Sequence, residues 1–211
     1  MASTAEAGTL LDLLDDEKRR ELLAMGRRVN FPRGTRLMHE GEPGERLMLL
    51  VEGHVKATAV TEQGQELVLS FCGPGDILGE LSFLDGSPRS SNVTAIEPVE
   101  AIVLSAQQFR SYLEQIPGVA MTLIDMIGRR FRHADLQRIQ FGASDATGRV
   151  AARLVELAER YGEKASEGIR IGLPITQEEL GGWAASSRAG VAESLRQMRE
   201  ENARLKRLVA D

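Results

Sequence analysis

A short segment near the middle of the chain combines residue types that could bind a phosphorylated ligand. It runs Pro74-Gly75-Asp76-Ile77-Leu78-Gly79-Glu80-Leu81-Ser82 and is followed by Pro88-Arg89-Ser90-Ser91. Gly79 would let the backbone approach a ligand closely. If a helical turn begins at Glu80, the backbone N–H groups of residues 80–82 would point at an anion. Arg89 adds a forked cation that suits a phosphate, with the Ser90 hydroxyl and amide beside it.

Glu80 needs a different role, because a carboxylate does not bind a phosphate. An acidic residue next to a phosphate cradle makes sense if it accepts a hydrogen bond from a ribose hydroxyl, as acidic residues do in dinucleotide sites. A phosphate together with a free 2′-hydroxyl means a nucleotide. The segment therefore predicts a nucleotide site, and the alternative is a turn with a surface salt bridge.

A second segment, residues 176–195, has the pattern of two short helices joined by a turn. Thr176 followed three residues later by Glu179 forms a capping box that would start the first helix, and Ser186-Ser187 could cap the second. Apolar residues at helical spacing could pack inward: Leu180, Trp183, Val191 and Leu195. The pattern predicts a helix-turn-helix whose second helix enters the major groove of DNA, and the alternative is an ordinary αα-hairpin.

The elements before Ser105 must form the ligand-binding part. Residues from about Gly8 to Arg28 are helix-like, with leucines recurring near helical spacing among charges. From Val29 to Leu104 short β-type segments alternate with turns rich in glycine and proline. Regular short strands with such corners predict an antiparallel roll or barrel, because a parallel sheet would need helices between its strands.

The chain after Ser105 is predicted to be helical. Ala106 to Gln115 forms one helix, and Gly118 to Phe141 forms a longer one. On the longer helix, apolar residues step by alternating four and three positions, the seam of a coiled coil: Ala120, Ile124, Ile127, Phe131 and Ala134. Its length favours a dimerisation helix, and the alternative is a helix whose apolar face packs on the β domain.

The region between the long helix and the helix-turn-helix should contain one further helix. Residues 145–149 have the character of a hinge and helix start, and Val150 to Tyr161 are amphipathic. Gly162 to Gly168 is predicted to be a polar loop, and Ile169-Arg170-Ile171 a short strand.

Composition excludes several classes of protein. Cys72 is the only cysteine and the three histidines are scattered, so we expect no metal, haem or iron–sulfur site. The absence of a Ser/His/Asp set or a Walker lysine motif gives no case for an enzyme. The apolar runs are too short to span a bilayer and the N-terminus lacks a signal-peptide pattern, so we expect a cytoplasmic protein that does not bind membranes. The net charge of −5 means that any DNA binding must come from a local surface.

Together these segments resemble the cyclic-AMP receptor protein/FNR (Crp/Fnr) family of transcription regulators. The resemblance runs from Leu11 through Leu195 and includes residues 145–151, which are similar to the family's hinge into its DNA-binding domain. It implies an α+β fold: an N-terminal antiparallel β-roll that binds a cyclic nucleotide (residues 1–117), a long dimerisation helix (118–144) and a C-terminal helix-turn-helix domain (145–211). The implied effector is a cyclic nucleotide and the implied assembly a homodimer.

The resemblance also implies which residues meet the effector. The ribose and phosphate would be held by Gly79, Glu80, Leu81 and Ser82, and the cyclic phosphate by Arg89 and Ser90. Ser70 and Cys72 would line the pocket from one strand, since alternation places them on the same face, and Arg130 of the long helix would also face it. Ala134 and Asp135 stand where the family's Thr-Ser pair meets the adenine. Cyclic AMP is the expected ligand and cyclic GMP the alternative, because an aspartate could accept hydrogen bonds from guanine.

The DNA-binding residues that the resemblance implies are Thr176, Gln177, Ser187, Arg188 and Glu193. Arg188 matches the arginine with which the family commonly contacts guanine. Glu193 occupies the position of a second such arginine, where it would repel phosphate unless it accepts from a cytosine amine. From Thr176 onward, six basic residues are balanced by six acidic ones, whereas DNA favours a basic surface.

The C-terminal residues depart from the family, whose recognition helix is followed by a β-hairpin wing. Here residues 199–208 have no Gly, no Pro and no alternating pattern, so we predict one continuing helix and no wing. The expected partners are duplex DNA, bound weakly, with RNA polymerase as a further candidate. The alternative function is a cyclic-nucleotide-binding module whose DNA-binding domain is truncated or degenerate.

Overall fold

The computed structural model describes residues 9–64, 66–166 and 168–210, without the side chains of Gln140 and of residues 205–210. Packing divides the described chain into two compact units, with the boundary between Ala134 and Asp135.

The first unit begins with two short helices, α1 (Leu10–Leu13) and α2 (Asp16–Met25). The stretch predicted to be helix-like from about Gly8 to Arg28 thus contains two helices, and only its last two residues, which belong to the first strand, contradict the prediction. The chain breaks at Leu14 and Asp15, because the Asp15 side chain caps α2 by accepting a hydrogen bond from the backbone N–H of Lys18 at 2.9 Å. The first strand starts two residues after α2, earlier than predicted.

Eight strands then form two antiparallel four-stranded sheets. They are β1 (Arg27–Phe31), β2 (Arg36–Met38), β3 (Arg46–Glu52), β4 (Val55–Val60), β5 (Glu66–Cys72), β6 (Ile77–Leu78), β7 (Asn92–Ala95) and β8 (Val99–Ser105). One sheet has the order β1-β8-β3-β6 and the other β2-β7-β4-β5. A short helix, α3 (Glu80–Asp85), connects β6 to β7. The predicted antiparallel roll is confirmed.

The core of the first unit lies on both faces of β3. Alternate residues Leu47 and Leu49 join one apolar cluster, whereas Met48 and Leu50 join another. Two helices follow the roll, α4 (Ala106–Gln115) and α5 (Pro117–Ala143). Residues of both helices pack into the first cluster, namely Phe109, Tyr112, Val119, Leu123 and Met126. The predicted bounds of α4 are those of the structure.

α5 carries a second apolar face besides the one that the core uses. Ile124 and Phe131 of the predicted seam are 55% and 63% exposed, while Val119 and Leu123 are buried. Ile127 is half-buried and packs partly against the core. The seam is therefore not simply the core-facing side of the helix, and the predicted dimer contact stays a prediction.

The second unit consists of a helix, a hairpin and the predicted helix pair. Its elements are α6 (Ala146–Tyr161), β9 (Gly162–Ala165), β10 (Gly168–Ile171), α7 (Gln177–Ala184) and α8 (Arg188–Ala210). The predicted polar loop after Tyr161 was wrong, because β9 pairs antiparallel with β10. Every residue of β9 is exposed, so no alternation in the sequence marks the strand. Among the described residues no strand follows Ile171, and α8 runs on as one helix, as predicted. None of the described helices is both long and apolar enough to cross a membrane.

Candidate nucleotide site and nucleic-acid interface

Arg89 is a buried cation near the start of α3, only 7% exposed. Its Nη1 donates to the backbone oxygen of Gly79 at 3.1 Å and its Nη2 to that of Arg46. In the described part of the chain no carboxylate forms an ion pair with this guanidinium. Burial, assisted by the nearby charge of Arg46, lowers the pKa of Arg89 below its ordinary value, although Glu80 and Glu42 act in the opposite direction. Such a site favours an anionic ligand, because a buried charge is costly until it is paired.

Gly79 makes this position of Arg89 possible. Its φ of +84° lies in the left-handed region that favours glycine, and a Cβ added to it would lie 2.2 Å from Arg89 Nη1. α3 begins at the next residue with no side-chain cap on its first amides. A substitution at Gly79 would therefore distort the backbone turn and displace the guanidinium together.

Glu80 is held by Arg130 of α5, which also binds a second carboxylate. Arg130 Nη1 donates to Glu80 Oε1 at 3.0 Å, and its Nη2 donates to Asp76 Oδ1 at 2.6 Å. Burial alone would lower the pKa of Arg130, but Cys72, Asp76 and Glu80 outweigh that effect and raise it. The structure thus brings Glu80 and Arg130 together, while their contact with a ligand stays a prediction.

Asp76 was quoted in the motif but not predicted as a site residue. Its side chain is buried, and Oδ2 accepts a hydrogen bond from the backbone N–H of Gly73 at 2.9 Å. An aspartate that bonds to a nearby amide is typical of a turn, so the sequence pattern alone suggested a turn residue. Its other oxygen, however, binds Arg130, which lies far along the chain.

The other predicted ligand contacts differ in exposure. Ser82 is buried, whereas Leu81 and Ser90 are exposed. β5 places Ser70 and Cys72 side by side, with Oγ and Sγ 3.9 Å apart.

The residues predicted to meet the base lie where the two units divide. Ala134 is half-buried in the first unit. Asp135 belongs to the second, where its carboxylate accepts a hydrogen bond from Arg138 at 3.2 Å. Their contact with a base stays a prediction.

A cavity of about 240 Å³ has Arg89 in its wall. It is lined by Leu37, Met38, Glu42, Pro43, Glu45, Arg46, Met48 and Arg89. Arg89 is the one residue that it shares with the predicted nucleotide site. The charges that line this cavity balance, because Glu42 and Glu45 face Arg46 and Arg89.

The helix-turn-helix forms as its caps predict. The Thr176 hydroxyl accepts from the backbone N–H of Glu179 at 3.1 Å, and the Glu179 carboxylate accepts from that of Thr176 at 2.8 Å. Ser187 caps α8 by accepting from the backbone N–H of Gly190 at 3.0 Å. In the turn between the helices Ala185 has a φ of 42°, the left-handed conformation.

Two arginines of α6 that the sequence analysis did not single out support this helix pair. Arg149 donates to the backbone oxygens of Ala184 and Ala185 at 2.9 and 3.2 Å, at the end of α7. These bonds satisfy carbonyl groups that a helix end leaves without partners. Arg153 stacks its guanidinium 4.7 Å from the centre of the Trp183 ring. The amphipathic pattern of α6 placed both residues on a helix but did not show what they contact.

The predicted DNA-binding residues lie on the surface. Thr176, Gln177, Ser187 and Arg188 are all exposed, and the Arg188 side chain makes no hydrogen bond or ion pair with any described residue. Glu193 is also exposed but accepts hydrogen bonds from Arg196 at 2.6 Å and from Gln197 at 2.9 Å. The bond from Arg196 lowers the pKa of Glu193. Arg196 therefore neutralises the charge of Glu193 locally, and its guanidinium is no longer available to a DNA phosphate.

Metal binding finds no support in the described ranges. Within residues 9–64, 66–166 and 168–210, no group of three His, Cys, Asp or Glu side chains could hold a metal ion.

Comparison with known families gives two matches that together cover most of the chain. Residues 28–116 match the cyclic nucleotide-binding domain, and residues 148–207 match the Crp-like helix-turn-helix domain. The two matched ranges contain the predicted nucleotide segment and the predicted helix-turn-helix, respectively.

Similar full-length proteins are transcription regulators rather than enzymes. The CRP-like cAMP-activated global transcriptional regulator of Mycobacterium tuberculosis (strain CDC 1551 / Oshkosh) is 35% identical over 167 residues, which are 79% of this chain and 75% of that protein. The cyclic AMP receptor protein of Thermus thermophilus is 31% identical over 171 residues, which are 81% and 76% of the two chains.

Solved structures agree on the fold. The Thermus thermophilus catabolite activator protein has a TM-score of 0.58 at 30% identity, over 92% of this chain and 87% of that one. FixK2 from Bradyrhizobium japonicum has a TM-score of 0.73 at 22% identity, over 84% and 86% of the two chains, which supports the fold alone.

Proposed function

This chain belongs to the Crp/Fnr family of transcription regulators, and we propose on that premise that it binds cyclic AMP in its β-roll and duplex DNA through its helix-turn-helix. The observation that carries the proposal is Arg89, a buried guanidinium with no carboxylate paired to it in the described chain, beside a glycine turn and the uncapped start of α3. A cyclic phosphate would supply the missing anion. The proposed domains are residues 1–117, 118–144 and 145–211.

The site residues divide the ligand between them. Arg89 and Ser90 hold the cyclic phosphate, together with the backbone of residues 79–82. Glu80 accepts a hydrogen bond from the ribose 2′-hydroxyl, and Arg130 orients Glu80 for this role by bonding to Oε1. Ser70 and Cys72 form a small wall of the pocket. A carboxylate held this way leaves its second oxygen for the ribose.

The choice of cyclic AMP rests on the relatives, because Asp135 could accept hydrogen bonds from either base. The similar regulators of Mycobacterium tuberculosis and Thermus thermophilus are named for cyclic AMP. Ala134 offers the base no hydrogen bond, so Asp135 would accept one from the exocyclic amine of adenine. An ionised aspartate could serve the N1–H and N2–H₂ edge of guanine in the same way, which makes cyclic GMP the competing ligand.

The regulator would act as a homodimer. The exposed seam of α5 supplies an apolar face for a second copy of the chain, and Arg188 at the start of α8 would contact guanine in the major groove. RNA polymerase is the proposed partner once DNA is bound. A second candidate, a cyclic-nucleotide-binding module without effective DNA binding, is favoured by one observation: Glu193 sequesters Arg196 on the helix that should meet the phosphates.

Titration calorimetry of the full chain with cyclic AMP, cyclic GMP and 5′-AMP tests the proposal. We expect saturable binding of cyclic AMP at one site per chain, weaker binding of cyclic GMP, and little of 5′-AMP, whose phosphate carries more charge and a different shape. Binding of neither cyclic nucleotide would overturn the assignment of the effector. Tighter binding of cyclic GMP than of cyclic AMP would overturn the choice of base alone.

A further inference from the structure

Four residues of the second unit form a continuous set of polar contacts from the end of α5 to α7. Gln137 Nε2 donates to both carboxylate oxygens of Glu156, each at 3.2 Å. Glu156 Oε2 accepts from Arg153 Nη1 at 2.8 Å. The Arg153 guanidinium then stacks on Trp183, 4.7 Å from the ring centre. We call Gln137, Arg153, Glu156 and Trp183 the Arg153 network.

The ion pair within this network is shielded from water. The side chains of Arg153 and Glu156 are 12% and 10% exposed, and Trp183 is buried. A buried ion pair adds little net stability, because desolvation of both charges offsets their attraction, and a pair of apolar residues could fill the same space. What such a pair does provide is a fixed geometry, since each charge must keep its partners. A guanidinium over an indole adds a second directional contact.

The network joins the two helices between which a signal would have to pass. Trp183 belongs to α7, the first helix of the helix-turn-helix, and α7 packs on α8. Gln137 belongs to α5, the helix whose Arg130 binds Glu80 and Asp76 in the nucleotide site. Along α5 the two residues are seven positions apart, close to two turns of an α-helix. A change in α5 at Arg130 would therefore reach Gln137 on the same face of that helix.

We propose that Arg153 is a positioning residue that couples α5 to the helix-turn-helix, so that binding of the nucleotide changes the orientation of α7. The proposal rests on the proposed function, because it takes the first unit as the receptor of the effector. Gln137 holds the Glu156 carboxylate, which accepts a hydrogen bond from Arg153, and the Arg153 guanidinium lies over the Trp183 ring. A shift of Gln137 must then be followed by Trp183 or break a buried contact.

Trp183 is the only tryptophan of the chain, so its fluorescence reports on the network directly. The test measures emission and acrylamide quenching of the full chain, with and without cyclic AMP, in Gln137→Ala and in the matched control Glu159→Gln, an exposed α6 residue. We expect Gln137→Ala to shift the Trp183 emission and quenching of the free protein and to lose most of the change caused by cyclic AMP. The control should match the parent in emission, quenching and cyclic AMP affinity, and calorimetry should show that Gln137→Ala still binds cyclic AMP at one site per chain.

The outcomes separate the two proposals. The coupling through the Arg153 network would be overturned if Gln137→Ala had the same emission and quenching as the parent, both with and without ligand. A parent chain that binds no cyclic nucleotide in calorimetry would overturn the proposed effector, while the comparison of ligand-free emission would still decide the network.

A double variant distinguishes positioning from simple structural support. Arg153→Met combined with Glu156→Leu replaces the ion pair by apolar residues of similar volume. We expect its melting temperature to equal or exceed that of the parent, but its Trp183 response to cyclic AMP to be lost. A double variant that keeps both its stability and its response would overturn the proposal.

Discussion

Arg89 and Arg188 are the two arginines expected to meet phosphate or guanine, and they lie in opposite environments. Arg89 is buried and fixed by two backbone oxygens before any ligand arrives. Arg188 is exposed, and no contact with a described residue holds its side chain. A fixed, desolvated cation loses little conformational entropy and little hydration when it binds an anion. An exposed cation without fixed contacts must be ordered first, and its charge is screened by salt. The cation of the nucleotide site is therefore fixed in place before its ligand binds, whereas the cation expected to contact DNA is not.

The two acids near these arginines differ in the same way. Arg130 holds Glu80 from another element, in a partly buried setting that leaves the carboxylate oriented. Arg196 holds Glu193 from the same helix, with both side chains more than 45% exposed. An exposed pair contributes little stability, yet it removes one cation from the surface that should attract DNA. An arginine–glutamate pair can therefore organise a partly buried site, whereas a similar pair on an exposed helix weakens the surface that should bind DNA.

The largest effect should follow from removal of the buried cation. Arg89→Ala leaves the cyclic phosphate without its charged partner, so we expect the affinity for cyclic AMP to fall by about 30-fold or more, the cost of truncating one member of a buried charged pair. Titration calorimetry measures it, with Arg33→Ala at an exposed turn as the control. An Arg89→Ala variant that binds as tightly as the parent would place the phosphate elsewhere.

A large effect on assembly should follow from a charge on the exposed seam of α5. Phe131→Lys would bury an unpaired ammonium against the second copy, so we expect a monomer where the parent is a dimer in analytical ultracentrifugation. Phe131 suits this test better than Ile127, which also packs on the core. Asp125→Lys, exposed on the same helix, is the control. A Phe131→Lys dimer as stable as that of the parent would point to another interface.

The sequence predicts those features that depend on neighbouring residues. The antiparallel roll, the bounds of α4 and the Thr176–Glu179 capping box all follow from local patterns of apolar, turn and cap residues. β9 could not be found this way, because a strand that is exposed on both faces has no alternation. The break before α2 was missed because the leucine spacing continues past the cap at Asp15.

The functional residues that the sequence analysis missed are those whose roles depend on contacts between distant positions in the chain. The motif that predicts the nucleotide site contains Asp76, but its bond to Arg130 spans 54 residues. The bonds of Arg149 to the end of α7 span 35 and 36 residues. A single sequence carries no signal that pairs such positions, so their roles appear only when the fold brings them together.

A smaller effect should follow from a change at the position expected to meet the base. Asp135→Ser should shift the ratio of cyclic AMP to cyclic GMP affinity by about ten-fold, the worth of one charged hydrogen bond. Competition calorimetry with the two nucleotides measures the ratio. If it stays at the value of the parent, Asp135 serves only its bond to Arg138 and base choice lies elsewhere.

The smallest effect concerns the acid on the recognition helix. Glu193→Ala removes a negative charge and leaves Arg196 with Glu200 as its remaining carboxylate partner, so we expect affinity for duplex DNA to rise by less than about ten-fold and the salt dependence to steepen. Fluorescence anisotropy at several salt concentrations measures both, with Glu201→Ala farther along α8 as the control. A gain as large in the control would mean that only net charge matters, and a loss of affinity would show that Glu193 itself contacts DNA.

The contrast between an organised nucleotide site and a charge-balanced helix-turn-helix is tested most directly by the affinity of the cyclic-AMP-saturated chain for DNA. Duplexes selected from a random pool at physiological salt would be titrated in a gel-shift assay. We expect dissociation constants well above the roughly 10⁻⁸ M typical of specific sites, because α8 pairs its charges internally and continues as a helix where a wing would contact phosphates. Recovery of a tight palindromic site would contradict this account and show that Arg188 and its neighbours suffice.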